Sequence, residues 1–347
     1  MTAPLTHHEG IYLALGGGAA RGFAHLGIIR ALQEHQIPIA GICGTSMGAV
    51  VGACFSLNQN ADQVTRDFAS HLKSDKFNNA RFKVIQAAER GNDDGRTSFA
   101  ARMRHGILVG RSLTTGAILP FDEFRSEISA VIPDRTFKQT QIPFFALACD
   151  LLQAREVVFN DGYLRSAIMA SAAIPGVFPG VLASDRIYID GGWINKIPVR
   201  PLLHMGAKHV IAVDVSDDYT TDFNPKRGFS MINQANKVAQ LRLLELQTEP
   251  ATLHWRPPVK EIHWSAFTQI ERAVEIGYEY AVAHMDQVKK LLEPPPKPTW
   301  WQKLKIRLAD QPQQEPPEPR PTGFDVRGIW DIRAADDDYI ATHLQEL

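Results

Sequence analysis

Ile11-Tyr12-Leu13-Ala14-Leu15-Gly16-Gly17-Gly18-Ala19-Ala20-Arg21-Gly22 decides how the rest of this chain is read. Five apolar residues without polar alternation predict a strand buried on both faces. The glycines predict a turn. Phe23, Leu26, Ile29 and Leu32 then recur at helical spacing, so Arg21 to Gln36 is predicted helical. The same grammar follows at once. Ile37 to Cys43 reads as a second strand, Gly44-Thr45-Ser46-Met47-Gly48 as a turn, and Ala49 to Leu57 as a helix of small residues. Strand, turn, helix, twice over, is a βαβα unit, which implies a parallel sheet covered on both faces.

Further strands are predicted at Pro143 to Cys149, Glu156 to Phe159, Ile187 to Ile189 and His209 to Val215. Helices are predicted at Tyr163 to Ser171, at Val199 to Met205 and, as one long element, at Gln269 to Leu292. Residues 60 to 135 are more polar. Their apolar side chains (Phe77, Phe82, Ile85, Phe99, Met103, Ile107 and Leu108) suit a lid or insertion over 75–135. Past residue 292 the composition changes. Glu293-Pro294-Pro295-Pro296 cannot continue a helix, and residues 310–347 carry nine acids against three arginines. The expected organisation is one domain over 1–292 and an appended Pro-rich, acidic segment over 293–347.

Three turns carry chemistry. Gly44-Thr45-Ser46-Met47-Gly48 is a G-x-S-x-G between a strand and a helix, the context in which this motif presents a serine hydroxyl at a strained turn. A serine that merely caps the helix is the alternative. Gly16-Gly17-Gly18-Ala19-Ala20-Arg21-Gly22 can converge backbone N–H groups on an anion. A dinucleotide loop would need a glycine where Arg21 stands and an acid at the end of the second strand, which reads Ile42-Cys43-Gly44. An oxyanion hole, or glycines needed only for packing, remains. Asp190-Gly191-Gly192 follows the third of these strands; alone it reads equally well as a local turn.

Together the blocks resemble the bacterial patatin-like phospholipase family. They are Leu13 to Gly22 with Ala24-His25-Leu26-Gly27, Gly44 to Ala49, Ala170-Ser171-Ala172-Ala173-Ile174-Pro175-Gly176-Val177-Phe178-Pro179, and Asp190-Gly191-Gly192 with Asn195 to Val199. The resemblance covers residues 11 to about 215. It implies a patatin-like three-layer α/β/α fold around a mostly parallel sheet. It implies a Ser-Asp dyad, with Ser46 as nucleophile and Asp190 as base, in a lipid acyl hydrolase that needs no metal or cofactor. Gly17, Gly18 and Ala19 match the oxyanion hole, supported by Arg21. Gly16, Gly22, Gly44, Gly48, Gly191 and Gly192 support the motifs. The family often has glycine where Ala19 stands, so the loop is expected to keep a negative φ there.

A Ser-Asp-His triad would draw on His204, His209, His254, His263 or His284, none of which sits in a recognisable catalytic loop. His25 reads as helix packing, and Asp150 and Asp214 as caps of strand ends. The net charge of −1 argues against a nucleic-acid partner. Cys43, Cys54 and Cys149 read as reduced core residues, since an odd, low count is no disulfide framework. No stretch reaches the roughly 18 apolar residues of a membrane span. A cytoplasmic protein is expected, and Trp300 and Trp301, beside Lys303, Lys305 and Arg307, suit either peripheral membrane contact or docking back onto the catalytic domain. The remaining alternative is a non-catalytic module that recruits a partner through its tail.

Overall fold

The computed structural model describes residues 10–75, 77, 117–183, 185–216 and 223–293, with backbone only at 229 and 324–329. In chain order the elements are β1 (Ile11–Leu15), α1 (Ala24–Glu34), β2 (Ile39–Thr45), α2 (Met47–Asn58), α3 (Ala61–Lys73), α4 (Phe121–Val131), β3 (Phe144–Asp150), β4 (Arg155–Gly162), α5 (Leu164–Ala172), β5 (Val181–Ala183) and β6 (Arg186–Asp190). They continue with α6 (Val199–His204), β7 (Val210–Val213), α7 (Gly228–Thr248), β8 (Leu253–Trp255), α8 (Ile270–Ala283), α9 (Met285–Leu292) and β9 (Phe324–Ile329). A 3-10 turn, Ala19–Phe23, precedes α1 where a continuous helix is expected.

Among the described residues all nine strands join one sheet. β1 lies between β2 and β7, parallel to both, and β8 extends this parallel side beyond β7. Side chains alternate across the sheet, as the period-2 geometry of a strand requires. Ile11, Leu13 and Leu15 face a core built with α1, α2, α3, α4, α5, α8 and α9. Tyr12 and Ala14 face a second core with α6 and α7. The result is the expected three-layer α/β/α arrangement around a mostly parallel sheet.

Helices α1 and α8 cross at Gly27 and Gly277. A Cβ on Gly27 would run into the backbone of Val274 and Tyr278, and one on Gly277 into the backbone of Ala24. Backbones this close admit no side chain at the crossing.

Direction is where the structure departs from the simple parallel reading. β3 is parallel to β2 but antiparallel to β4 and β6. β4 covers one edge of β3 over Ala146–Asp150, so β2 and β6 share the other edge end to end. Thr45 pairs with Leu147, and Asp190 pairs with the next residue, Ala148. Two strands running toward each other therefore meet at the serine turn.

The predicted helix Gln269–Leu292 is broken at His284, where 3-10 bonds replace the helical ladder: His284 N–H donates to Ala281 O and Gln287 N–H to His284 O. Within the stretch expected as an acidic tail, β9 pairs with β4. Of the side chains assigned to a lid, Phe77 is described; Phe82, Ile85, Phe99, Met103, Ile107 and Leu108 lie outside the described residues, as do Trp300 and Trp301. No helix among the described residues is long and apolar enough to cross a membrane.

Candidate active site

Ser46 sits between β2 and α2 with φ 55° and ψ −124°, a conformation that L-residues rarely adopt. Strain of this kind costs roughly 1–3 kcal/mol and persists only where the surroundings enforce it. Here they do. A Cβ on Gly48 would collide with the backbone of Leu15 and Gly16, so α2 starts hard against the end of β1. The Ser46 N–H donates to Ser171 Oγ at 3.0 Å, and that hydroxyl donates to Leu147 O at 2.6 Å. Thr45 Oγ1 donates to Asn195 O at 3.1 Å, which ties the end of β2 to the segment after Asp190.

Asp190 is buried, and its Oδ1 accepts the Gly192 N–H at 2.7 Å. Burial pushes its carboxyl up to about 6. Hydrogen bonds from Ser46 and from the Gly192 N–H, and the charge of Lys196, oppose that rise without cancelling it. Ser46 thus lines the same recess as a buried carboxyl whose pKa is raised to about 6.

Gly17, Gly18 and Ala19 line the same recess as Ser46 and Asp190. The Gly17 N–H is occupied: it donates to Lys196 O at 3.2 Å. The Gly18 and Ala19 N–H groups have no partner among the described residues. Ala19 has φ 48°, contrary to the expected negative value. Its neighbours impose it: the Ala20 N–H donates to Trp264 O at 2.9 Å and the Arg21 N–H to Gly18 O at 3.2 Å, and the loop folds between them. The buried Arg21 donates from Nε to Ile262 O at 2.7 Å, fastening the loop from beneath.

His25 does more than pack. It is fully buried, and its Nε2 lies 2.8 Å from Gly16 O, which can only accept, so Nε2 carries the proton. Burial drives its pKa down to about 4 against the pull of Gly16 and Asp214, which leaves a neutral ring holding the start of the glycine turn. Ser171 was legible only as part of a motif block. Nothing local reveals that its hydroxyl bridges Ser46 and Leu147.

Two cavities meet at the serine. One, about 140 Å³, is apolar, lined by Phe23, Met47, Val50, Leu119, Phe124 and Phe178. The other, about 280 Å³, is polar, lined by Arg21, Asp190, Lys196, Asn236 and Gln240. Ala19, Ser46, Ile174 and Trp264 line both. No histidine lines the polar recess among the described residues. His254 lies beside Asp214, His263 against Ser265 and His284 against Tyr280 O. Asp150 caps the turn after β3, accepting the N–H groups of Leu152 and Gln153 at 3.1 Å each, and pairs with Arg186 at 2.7 Å. Cys43, Cys54 and Cys149 are buried and unpaired. No group of three or more His, Cys, Asp or Glu among the described residues is placed to hold a metal ion.

The molecule is thus a three-layer α/β/α protein with a serine forced onto a strained strand-to-helix turn against a buried aspartate. It belongs to the patatin-like phospholipase family, whose model matches residues 13–203. Patatin-like phospholipase domain-containing protein 7 of Rattus norvegicus is 29% identical over 303 residues, covering 80% of this chain and 20% of the relative. Lysophospholipase NTE1 of Mycosarcoma maydis is 30% identical over 301 residues, covering 80% and 15%. An uncharacterized NTE family protein of Mycobacterium tuberculosis is 33% identical over 206 residues, covering 59% and 49%. The chain therefore spans half or less of the length of these relatives. Among solved structures it is similar to VipD from Legionella pneumophila (TM-score 0.39, 15% identity, 81% of this chain and 67% of that one). It is also similar to ExoU in the ExoU–SpcU complex of Pseudomonas aeruginosa (TM-score 0.34, 17% identity, 81% and 52%).

Proposed function

We propose that this chain is a serine lipid acyl hydrolase working through a Ser46–Asp190 dyad, with residues 1–292 as the hydrolase unit. The observation that carries the reading is the position of Ser46. Ser46 lines both an apolar and a polar cavity, and the buried Asp190 shares the polar one. An amphiphilic ester fits that junction, with its acyl chain among Phe23, Val50 and Phe178 and its head group toward Arg21, Lys196 and Gln240.

In the first half-reaction Asp190 takes the hydroxyl proton as Ser46 Oγ bonds to the ester carbonyl carbon. The carbonyl oxygen becomes an oxyanion facing the Gly18 and Ala19 N–H groups. One such donor is worth about 2.7–4 kcal/mol in comparable sites. Asp190 returns the proton to the leaving alcohol, and an acyl-serine remains. Water then attacks the acyl carbon, with Asp190 accepting its proton, and Asp190 returns that proton to Ser46 Oγ as the acyl–oxygen bond breaks and the fatty acid leaves. A carboxylate with a pKa near 6 suits this cycle better than an unperturbed one, because its basicity lies closer to the working pH. The class of substrate is a phospholipid or lysophospholipid carboxylic ester. The patatin-like family and the lysophospholipase name of the fungal relative support this.

A fluorophosphonate probe tests the nucleophile. Wild type labels and Ser46→Ala does not, and hydrolysis of p-nitrophenyl esters rises with acyl length. Labelling that survives Ser46→Ala, or a folded wild type that neither labels nor turns over, overturns the proposal.

A further inference from the structure

Helix α7 is anchored over one half and carries exposed apolar side chains. Its C-terminal half is tied to the segment that follows Asp190. Gln240 Nε2 donates to Trp193 O at 3.2 Å, Gln247 Nε2 donates to Ile194 O at 2.7 Å, and the Lys196 N–H donates to Gln247 Oε1 at 3.0 Å. Gln234 is buried, but several apolar side chains along the helix are exposed. Ile232 is 67% exposed, Leu246 51%, Val238 50% and Met231 47%. Met231, Ala235 and Val238 follow one another at spacings of four and three, with Ile232, Ala239 and Leu246 alongside, so these side chains form one stripe. Trp193, 44% exposed, stands beside the middle of the helix and lines the polar recess with Asn236 and Gln240. The exposed apolar stripe thus runs beside the mouth of the site.

Charge identifies what would cover the stripe. Residues 223–244 contain Lys226, Arg227, Lys237 and Arg242 and no acid, although the whole chain is balanced at −1; Arg242 is paired with Glu245 at 2.6 Å. All four are exposed. A helix with exposed apolar side chains on one face, Arg242 among them, Lys226 and Arg227 just before its first turn and a tryptophan beside it has the composition that settles into the headgroup layer of a bilayer. Basic residues near such a surface each add about 1 kcal/mol when the lipids are anionic.

We propose that the exposed face of α7, with Trp193, docks the protein on an anionic lipid surface. This places the polar recess against the headgroups. Binding is separate from hydrolysis, so it stands or falls independently of the function proposed above.

The test uses full-length Ser46→Ala protein, which binds without consuming the lipid. Its flotation is measured with vesicles of phosphatidylcholine alone and of phosphatidylcholine mixed with phosphatidylglycerol. Flotation is expected with the mixed vesicles and is expected to weaken with added salt. Adding Ile232→Asp and Val238→Asp should lower the apparent affinity at least about tenfold, the change expected for losing two partly buried apolar side chains. Both positions are exposed, so the melting temperature and the turnover of a short-chain ester by the same double variant with Ser46 intact should not change. Undiminished flotation of the double variant overturns the proposal. So does equal flotation on neutral and anionic vesicles. A double variant that shifts from dimer to monomer with flotation intact assigns the stripe to a second copy instead.

Discussion

Asp190 and Asp214 sit in similar places and live in opposite conditions. Each follows or ends a strand, β6 or β7, and each is at most 5% exposed. Burial pushes both carboxyls up. At Asp214 that push is outweighed by His254 at 3.8 Å, the Ser216 N–H at 2.8 Å and Arg256 at 3.4 Å, which hold its pKa down at about 2. At Asp190 the helpers are a serine hydroxyl, one backbone N–H and the more distant charge of Lys196, and the pKa stays near 6. The β7 end is electrostatically satisfied. The β6 end is not, and it is also where Ser46 and Ala19 hold positive φ. Unrelieved cost is concentrated around one serine, which is the pattern expected of a reactive site.

Replacing each aspartate by asparagine should break this symmetry most visibly. Asp190→Asn should lower turnover on the order of 10⁴-fold, as loss of a catalytic carboxylate does elsewhere. The same change should raise stability at pH 8. A carboxyl whose folded pKa lies above its unfolded value imposes a cost that is fully present above about pH 6, and it disappears below about pH 4. About two units correspond to roughly 3 kcal/mol. Asp214→Asn should do the reverse. Its depressed pKa contributes stability above about pH 4 that is lost as pH falls toward 2. Removing it should cost about 2 kcal/mol at pH 7, reduced by solvent screening of the half-exposed His254 and Arg256, while Ser46 still labels. Thermal melts at pH 8 and pH 4 check both signs. An Asp190→Asn protein that melts lower than wild type at pH 8 would break the comparison.

Wild-type kinetics sharpen it next. If Asp190 accepts the serine proton, kcat/KM should fall with decreasing pH through an apparent pKa of about 6. Asp214→Asn should leave that midpoint in place. A midpoint near 4, or one displaced by the Asp214 change, would move the base elsewhere.

The two halves of this picture were unequally legible in the sequence. The β1 and β2 turns were readable because each is a local pattern: an unbroken apolar run, glycines, then small residues at helical spacing. Asp190 could be placed near them, but not the route by which it arrives. Strand direction is fixed by distant pairing, and nothing within Arg186–Asp190 says that β6 runs against β3 on the edge β2 has just vacated. Helix α7 was unreadable for a different reason. Met231, Ile232, Val238 and Leu246 face outward and, of its described apolar residues, only Leu244 is buried, so its apolar residues do not mark a core stripe. The helical break at His284 lacks a proline or glycine to announce it. At Ala19, the tertiary bond from the Ala20 N–H to Trp264 O overrides the residue's own preference, which no local rule could report.

Ser171→Ala probes the bridge that fixes the reactive end. It leaves the Ser46 N–H and Leu147 O without their shared partner. Buried groups stripped of a hydrogen bond cost about 1–3 kcal/mol. A lower melting temperature is expected, together with a kcat reduced more than KM is altered, because the hydroxyl positions the turn and does not touch substrate. Ser171→Thr, which keeps the hydroxyl, should recover part of kcat. A kcat unchanged in the alanine variant would show that α2 and Gly48 hold the turn unaided.

Ala19→Gly should give the smallest change, and it bears on whether strain at the reactive end is needed or merely tolerated. A left-handed φ costs an L-residue roughly 1–2 kcal/mol, which glycine escapes. Glycine also loosens the unfolded chain, returning about 0.4–1 kcal/mol. The two nearly cancel, so the melting temperature should shift by no more than a few degrees. The Ala19 N–H survives the substitution, and the bonds from Ala20 to Trp264 O and from Arg21 to Gly18 O still shape the loop. Turnover should therefore change by no more than about twofold, a small fraction of what a lost oxyanion donor costs. A tenfold fall in kcat with stability unchanged would mean that the alanine methyl, wedged where the two cavities meet, is what keeps the donors aimed at Ser46. Strain at the β6 end would then be part of the catalytic arrangement, in contrast to the satisfied end at Asp214.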